Sequence, residues 1–279
     1  MLSLDDAIRK FRSDPAYANL VRDAYLGEDA LDSAKRLLAS SEFKTVCDLI
    51  GLERIKGATV LDLGAGVGIA SYAFVQSGAK YVYAIEPDES DLVGIGAMQK
   101  TITGLPVEIV KSFGESLPLP DSSIDIYYTR QVLHHTQDLE KVMQEAFRVL
   151  KPNGVMLACR EHVANTPEAL EAFLKAHPTH QLAGGEHAYR LEEYTQAIIQ
   201  SGLQLKAVFG AWDSLINAFP QLQSQEALDK HPATILKKRL GTVGELLGNV
   251  PFVRQAIWTY LRRKPTAGAL HSFYAVKPT

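Results

Sequence analysis

The chain has 279 residues, 46% of them hydrophobic, and its 29 Lys and Arg against 32 Asp and Glu leave a formal net charge of -3. That length and apolar share can bury a core as one α/β domain with an accessory segment. The acidic balance argues against a nucleic-acid partner, whose phosphates call for a basic face. Two cysteines, Cys47 and Cys159, are too few for a disulfide framework or a thiolate metal cage, which makes a reducing, cytoplasmic setting the expected one.

The opening "MLSLDDAIRKFRSD" lacks the uncharged apolar stretch of a secretory signal. No apolar run approaches the roughly 20 residues that cross a bilayer, so no membrane association is expected. Residues 1–51 hold no strand-like run; apolar residues recur at helical spacing and Gly51 suits a C-cap, which predicts an N-terminal helical cap. From residue 52 to 210 short apolar runs alternate with amphipathic stretches, the pattern of parallel βαβ units in a doubly wound sheet. Strands are expected near 59–63, 81–85, 107–111, 124–129, 154–160 and 203–209. A helix is expected from Asp138 to Pro152, its Arg148 and Lys151 suiting the negative C-terminal end.

Residues 211–268 form a long, mostly helical excursion, and 269–279 contain a last strand at "HSFYAVKP". An insertion of that size between two strands usually carries a function or covers one, so a lid is expected. Its basic clusters "LKKRL" and "LRRK" read as solvated helix faces in an acidic chain. Trp212, Phe219, Phe252, Trp258 and Tyr260 read as lid core, with Asp213 and Asn217 as polar points.

The stretch "VLDLGAGVGIAS" at Val60–Ser71 runs from strand through glycine turn into helix. Glycines there let the chain turn sharply and let a ligand approach the backbone. Dinucleotide, flavin and S-adenosylmethionine sites share such a turn. The next strand, "YVYAIEPDES", ends in Glu86, where a carboxylate can accept both ribose hydroxyl hydrogens and repel a 2′-phosphate.

Together with "GESLPLPDSSIDIYYTRQVLHHTQDLEKVMQEAFRVLKPNGVMLA", these residues resemble the class I S-adenosylmethionine-dependent methyltransferases, in the branch that includes ubiquinone and menaquinone methyltransferase-like enzymes. The resemblance covers roughly residues 55–160 and implies a Rossmann-like core closed by an antiparallel last strand. By it, Asp62 and the backbone of Gly64, Ala65, Gly66 and Gly68 hold the methionine end, and Glu86 holds the ribose. Pro87 lies against the adenine; Phe113, Gly114 and Glu115 meet its edge; Arg130 and Gln131 flank the methionine. Relatives often carry an aspartate where this chain has Phe113, so stacking, backbone contacts or Glu115 would take over there. Tyr17 or Tyr25 would reach the cofactor carboxylate from the cap.

Ligands of such sheets bind beyond the carboxyl ends of the strands. His134, His135, Glu161 and His162 end the fourth and fifth strands and are the candidate catalytic residues, since methyl transfer needs an oriented and, for a hydroxyl or acidic carbon, deprotonated acceptor. Six of eight histidines fall between residues 134 and 187. His162, His177, His180 and Glu186 are accordingly candidate ligands of a divalent metal ion. The expected activity is methyl transfer to a small molecule. The alternatives are a metal-assisted lyase or cyclase on the same scaffold, or a protein that binds S-adenosylmethionine without methylating. Oligomeric state leaves no mark in the sequence.

Overall fold

The computed structural model describes residues 1–264 and 268–279; residues 265–267, within the expected lid, lie outside the described residues. Seven strands, β1 (Thr59–Leu63), β2 (Tyr81–Ile85), β3 (Val107–Val110), β4 (Ile124–Arg130), β5 (Leu150–Val163), β6 (Gln204–Phe209) and β7 (Ala269–Val276), form one sheet. Its order is β3-β2-β1-β4-β5-β7-β6. β7 runs antiparallel between β5 and β6, and the β1–β5 pairings are all parallel. Strand order reverses between β1 and β4, which puts a ligand crevice at their carboxyl ends.

Both faces are covered, which explains why the central strands read as continuous apolar runs. On one face Phe43 of helix Ser41–Ile50 and Phe74 of helix Ile69–Gln76 meet edge to face at 5.2 Å, and Phe74 meets Tyr128 of β4 at 5.0 Å. On the other, Met143 and Ala146 of helix Leu139–Val149 and Ile198 of helix Leu191–Gln200 bury Leu61, Tyr127 and Met156. Helix Leu139–Val149 ends before Pro152, earlier than its sequence suggested, because Leu150 already pairs with Ile124 as the first residue of β5. The proline also pushes Lys151 toward extended backbone.

The N-terminal cap is helical as expected, with segments at Leu4–Ser13, Ala18–Asp23, Ala30–Ala39 and Ser41–Ile50. Arg12 ties it to the loop after β2: Nε donates to the Leu26 carbonyl at 2.7 Å and Nη2 to that of Leu92 at 3.2 Å. After β6 come helices Leu215–Ala218, Gln225–Gly248 and Pro251–Arg263, the second broken at Gly241, whose φ is +62°. Trp212 stacks on His231 at 4.6 Å and packs with Trp258 against Leu215 and Leu228. Phe252 and Tyr260, read from sequence as lid core, are instead 82% and 61% exposed. No described helix is long and apolar enough to cross a membrane.

Candidate cofactor and acceptor site

Four strand ends bring the expected residues to one edge of the sheet. After β1, Gly64, Gly66 and Gly68 adopt φ of +64°, +53° and +80°, a region that disfavours side chains. A Cβ on Gly64 would stand 2.3 Å from Val132, so the turn after β1 packs directly against the turn after β4. Over Gly66 the nearest atom to such a Cβ is the Val93 carbonyl at 3.6 Å, which leaves room for a ligand. Beneath the turn, buried Asp62 accepts from Ser71 Oγ at 2.7 Å. Burial pushes its pKa up to about 7, against the opposing pull of the Ser71 hydrogen bond.

Glu86, just past β2, accepts the Gly66 N–H at 2.7 Å and the Asp88 N–H at 2.9 Å. Burial raises its pKa, opposed by these two amides. The carboxylate thereby holds the glycine turn. A cavity of about 140 Å³ opens here, lined by Tyr25, Asp62, Gly64, Gly66, Val93 and Arg130 among others. Ligand sites usually measure about 300–1,000 Å³, so a nucleoside would require the 24–26 and 93 segments to part.

Arg130 ends β4 inside a buried ion pair. Its Nε and Nη2 lie 2.6 and 3.2 Å from the carboxylate of Glu42, and its Nη1 donates to Gln131 Oε1 at 2.9 Å. The guanidinium also sits 5.2 Å from the ring centre of Tyr25, whose hydroxyl is buried without a partner. Tyr17 packs on Phe11 within the cap, so Tyr25 is the tyrosine at this cavity. Glu42 escaped the sequence reading because an acid in a helix's first turn is read as a partner of the helix dipole.

A bulge shapes the end of β5. Ala158 pairs with Phe273 and Glu161 with His271, so β5 has one residue more than β7 between these pairs. Arg160 takes φ +61° there; its N–H donates to Ser272 Oγ and its Nη1 to the carbonyls of Ile216 and Phe219. Ser272 in turn donates to Asn217 Oδ1 at 2.7 Å, which anchors the first lid helix to the bulge. Side-chain alternation shifts across such an insertion. Glu161 consequently points at the turn after β4, accepting the N–H groups of Val132 at 3.1 Å and His134 at 3.2 Å and facing His134 Nδ1 at 2.7 Å.

The histidines do converge. The rings of His134 and His135 lie 4.2 Å apart, those of His134 and His162 4.9 Å, and those of His162 and His177 5.5 Å. His162 uses Nδ1 on the Gly268 carbonyl at 2.9 Å. Burial lowers the pKa of His134 to about 3 and of His135, His162 and His177 to about 4, so the cluster is neutral near pH 7. Glu186, buried among them, is pushed up to about 7 by the same cause. Among the described residues, the acid and histidine atoms grouped closely enough for one ion belong to His134, His135 and Glu186. His180 is outside that trio, with a buried Nδ1 that has no partner.

At the expected adenine edge Phe113 is 66% exposed, a free aromatic face, whereas Gly114 is buried against Leu63 and Val142. Glu115 accepts the Gln137 N–H at 3.0 Å and that of Asp138 at 3.4 Å, so it fastens the loop before helix Leu139–Val149. Pro87 lies half-buried beside Glu86. Sequence reasoning missed a second cavity of about 640 Å³ between core and lid, lined by Asn165, Trp212, Asp213, Arg262 and His271 among others.

A mostly parallel seven-stranded sheet with reversed β7, a glycine turn after β1 and a carboxylate after β2 defines the class: this is a class I S-adenosylmethionine-dependent methyltransferase fold. Residues 61–158 match the methyltransferase domain family. A ubiquinone biosynthesis O-methyltransferase of Rhizobium johnstonii is 26% identical over 191 residues, 67% of this chain and 72% of that protein. An uncharacterized methyltransferase of Mycobacteroides abscessus is 31% identical over 103 residues, which span 37% of this chain and only 39% of the relative. An S-adenosylmethionine-dependent methyltransferase structure from Mesorhizobium loti superposes with a TM-score of 0.57 at 16% identity, covering 86% of this chain and 99% of that one.

Proposed function

We propose that the chain transfers the methyl group of S-adenosylmethionine to a small organic acceptor lying beyond β4 and β5. The observation that carries this reading is the order of groups along one sheet edge: Glu86, the glycine turn, Arg130, then Glu161, on β2, β1, β4 and β5. A ribose on Glu86 directs the methionine end across Gly64 and Gly66 toward Tyr25 and Arg130, with Asp62 below. The sulfonium then faces the 131–135 turn. Pro87 and the exposed face of Phe113 would flank the adenine.

Methyl transfer is an in-line displacement, so the acceptor atom must approach opposite the sulfur with a free lone pair. His134 suits this need: with Nδ1–H donating to Glu161, its Nε2 carries the free lone pair. His135 and His162 stand beside it as orienting groups. A hydroxyl acceptor can donate a hydrogen bond to this neutral imidazole and be oriented by it, and the Rhizobium relative is named as an O-methyltransferase. The lid would keep water from the sulfonium, favouring transfer over hydrolysis.

Product analysis tests the reading. Incubation with S-adenosylmethionine and hydroxylated acceptors is expected to release S-adenosylhomocysteine. Methylthioadenosine would point to cleavage on the other side of sulfur, as in a lyase or cyclase, and neither product to a binding protein. Calorimetry with Glu86→Ala addresses cofactor placement: loss of a charged hydrogen bond, about 1.5–3 kcal/mol, weakens binding by roughly 10- to 150-fold. Unchanged affinity removes Glu86 from the ribose site.

A further inference from the structure

We propose that His134, His135 and Glu186 bind one divalent transition-metal ion beside the acceptor position. Glu186 is 93% buried as a side chain, 7% being exposed, and its Oε2 has no hydrogen-bond partner. That oxygen stands 3.7 Å from His135 Nε2 and 3.9 Å from His134 Nε2. Both distances exceed a hydrogen bond. Two atoms bound to one ion at about 2.0–2.1 Å stand about 3.0–3.4 Å apart, so Glu186 needs to close on each imidazole by less than about 1 Å, and the ligand atoms of all three residues already lie within 4.8 Å of one another.

The groups behind the three ligands are placed as metal sites require. Glu161 takes the Nδ1 side of His134 at 2.7 Å, fixing the tautomer whose Nε2 lone pair faces Glu186. His177 Nδ1, also buried and unpartnered, lies 3.6 Å from the other oxygen of Glu186, near enough to steady it. Gly184 and Gly185, at φ +76° and +82°, turn the loop so that Glu186 points inward. The trio differs from the set expected in sequence by exchanging His162, His177 and His180 for His134 and His135.

Two imidazoles and one carboxylate leave coordination positions open and favour Fe²⁺, Mn²⁺, Co²⁺ or Zn²⁺ over Mg²⁺ and Ca²⁺, which prefer all-oxygen sites. The His135 side chain is 46% exposed, which gives the ion a way in and an acceptor oxygen a way to reach it. With His134 Nε2 occupied as a ligand, the ion itself would take the place of the imidazole, polarising that oxygen and lowering its pKa.

Chelator-treated full-length protein, free of chelator and of S-adenosylmethionine, is titrated with Co²⁺ and followed by visible absorption and calorimetry. One saturable equivalent with a new visible band is expected. His135→Ala, at a half-exposed position where the circular dichroism should stay unchanged, should weaken binding at least tenfold, and Glu186→Gln likewise. His187→Ala, whose ring packs on Tyr189, should not. Absence of saturable Co²⁺ binding, or equal affinity in wild type and His135→Ala, overturns the proposal. The cofactor takes no part in this readout, so its failure is separate from any failure of the methyl-transfer reading.

Discussion

Oε2 of Glu161 lies 2.7 Å from Nδ1 of His134, and both side chains are sealed from solvent. The same carboxylate accepts two backbone N–H groups of the turn that carries the histidine. Glu161→Gln keeps the shape but sets an NH₂ group against one of these donors. Chemical denaturation is expected to show a loss of about 1–3 kcal/mol. Turnover should fall at least roughly tenfold, because the tautomer and orientation of His134 are no longer fixed. Unchanged turnover in a folded variant would make the pair purely structural.

Gly64 and Gly66 share a left-handed backbone but not the space around it. Gly64→Ala drives a methyl group into Val132 and should displace the 131–135 turn, lowering the melting temperature. Gly66→Ala meets only the Val93 carbonyl, at an ordinary contact distance of 3.6 Å, and its main cost is its backbone angle, about 1–2 kcal/mol. It should fold yet bind S-adenosylmethionine poorly, because the added methyl fills the cradle. Cofactor calorimetry on both variants separates the two effects.

Asp62 gives a signed pH dependence. Its folded pKa of about 7 exceeds the unfolded value near 3.8. Its carboxyl is thus protonated in the fold at pH values where the unfolded chain has lost the proton. Its contribution is fully present below about pH 4 and is lost as pH rises through 7, a change of about 4 kcal/mol. His134 and His162, whose pKa values are lowered, slope the other way between about 3 and 6.5, so wild type alone does not isolate Asp62. The stability difference between wild type and Asp62→Asn, measured from pH 4 to 8, should decline with pH; a flat difference would count against the buried-acid account.

Glu42 joins the N-terminal cap to the sheet through Arg130, with Arg160 Nη1 3.9 Å away. Glu42→Gln leaves Arg130 buried without its counter-charge. Urea unfolding should show a loss of about 3–5 kcal/mol. A loss below about 1 kcal/mol would mean that Arg130 finds another partner.

Strand positions were readable because buried parallel strands are apolar on both faces and glycines mark their ends, as at Val60–Leu63 before Gly64. The turn and Glu86 were readable for the same reason: both lie at the carboxyl end of a strand that the pattern itself locates. Glu42 was not, because its partner Arg130 is 88 residues away and neither residue is unusual in its own segment. Nor was the grouping of His134, His135 and Glu186 that the metal proposal uses. Choosing His134 and His135 over His162 and His180 depends on where the bulge in β5 aims Glu161 and on how the glycine loop carries Glu186 inward.

The extra residue in β5 also separates two kinds of inheritance. Val155, Leu157 and Cys159 face the Phe43 and Phe74 layer, while Met156, Ala158 and, past the insertion, Val163 face the opposite one. An odd insertion inverts the parity of everything that follows it and nothing that precedes it. The half of the strand before the insertion can therefore keep its packing between the two helical layers while the half beyond it turns other side chains to either face. An alignment that ignores the offset would match Glu161 to residues on the wrong side of the sheet.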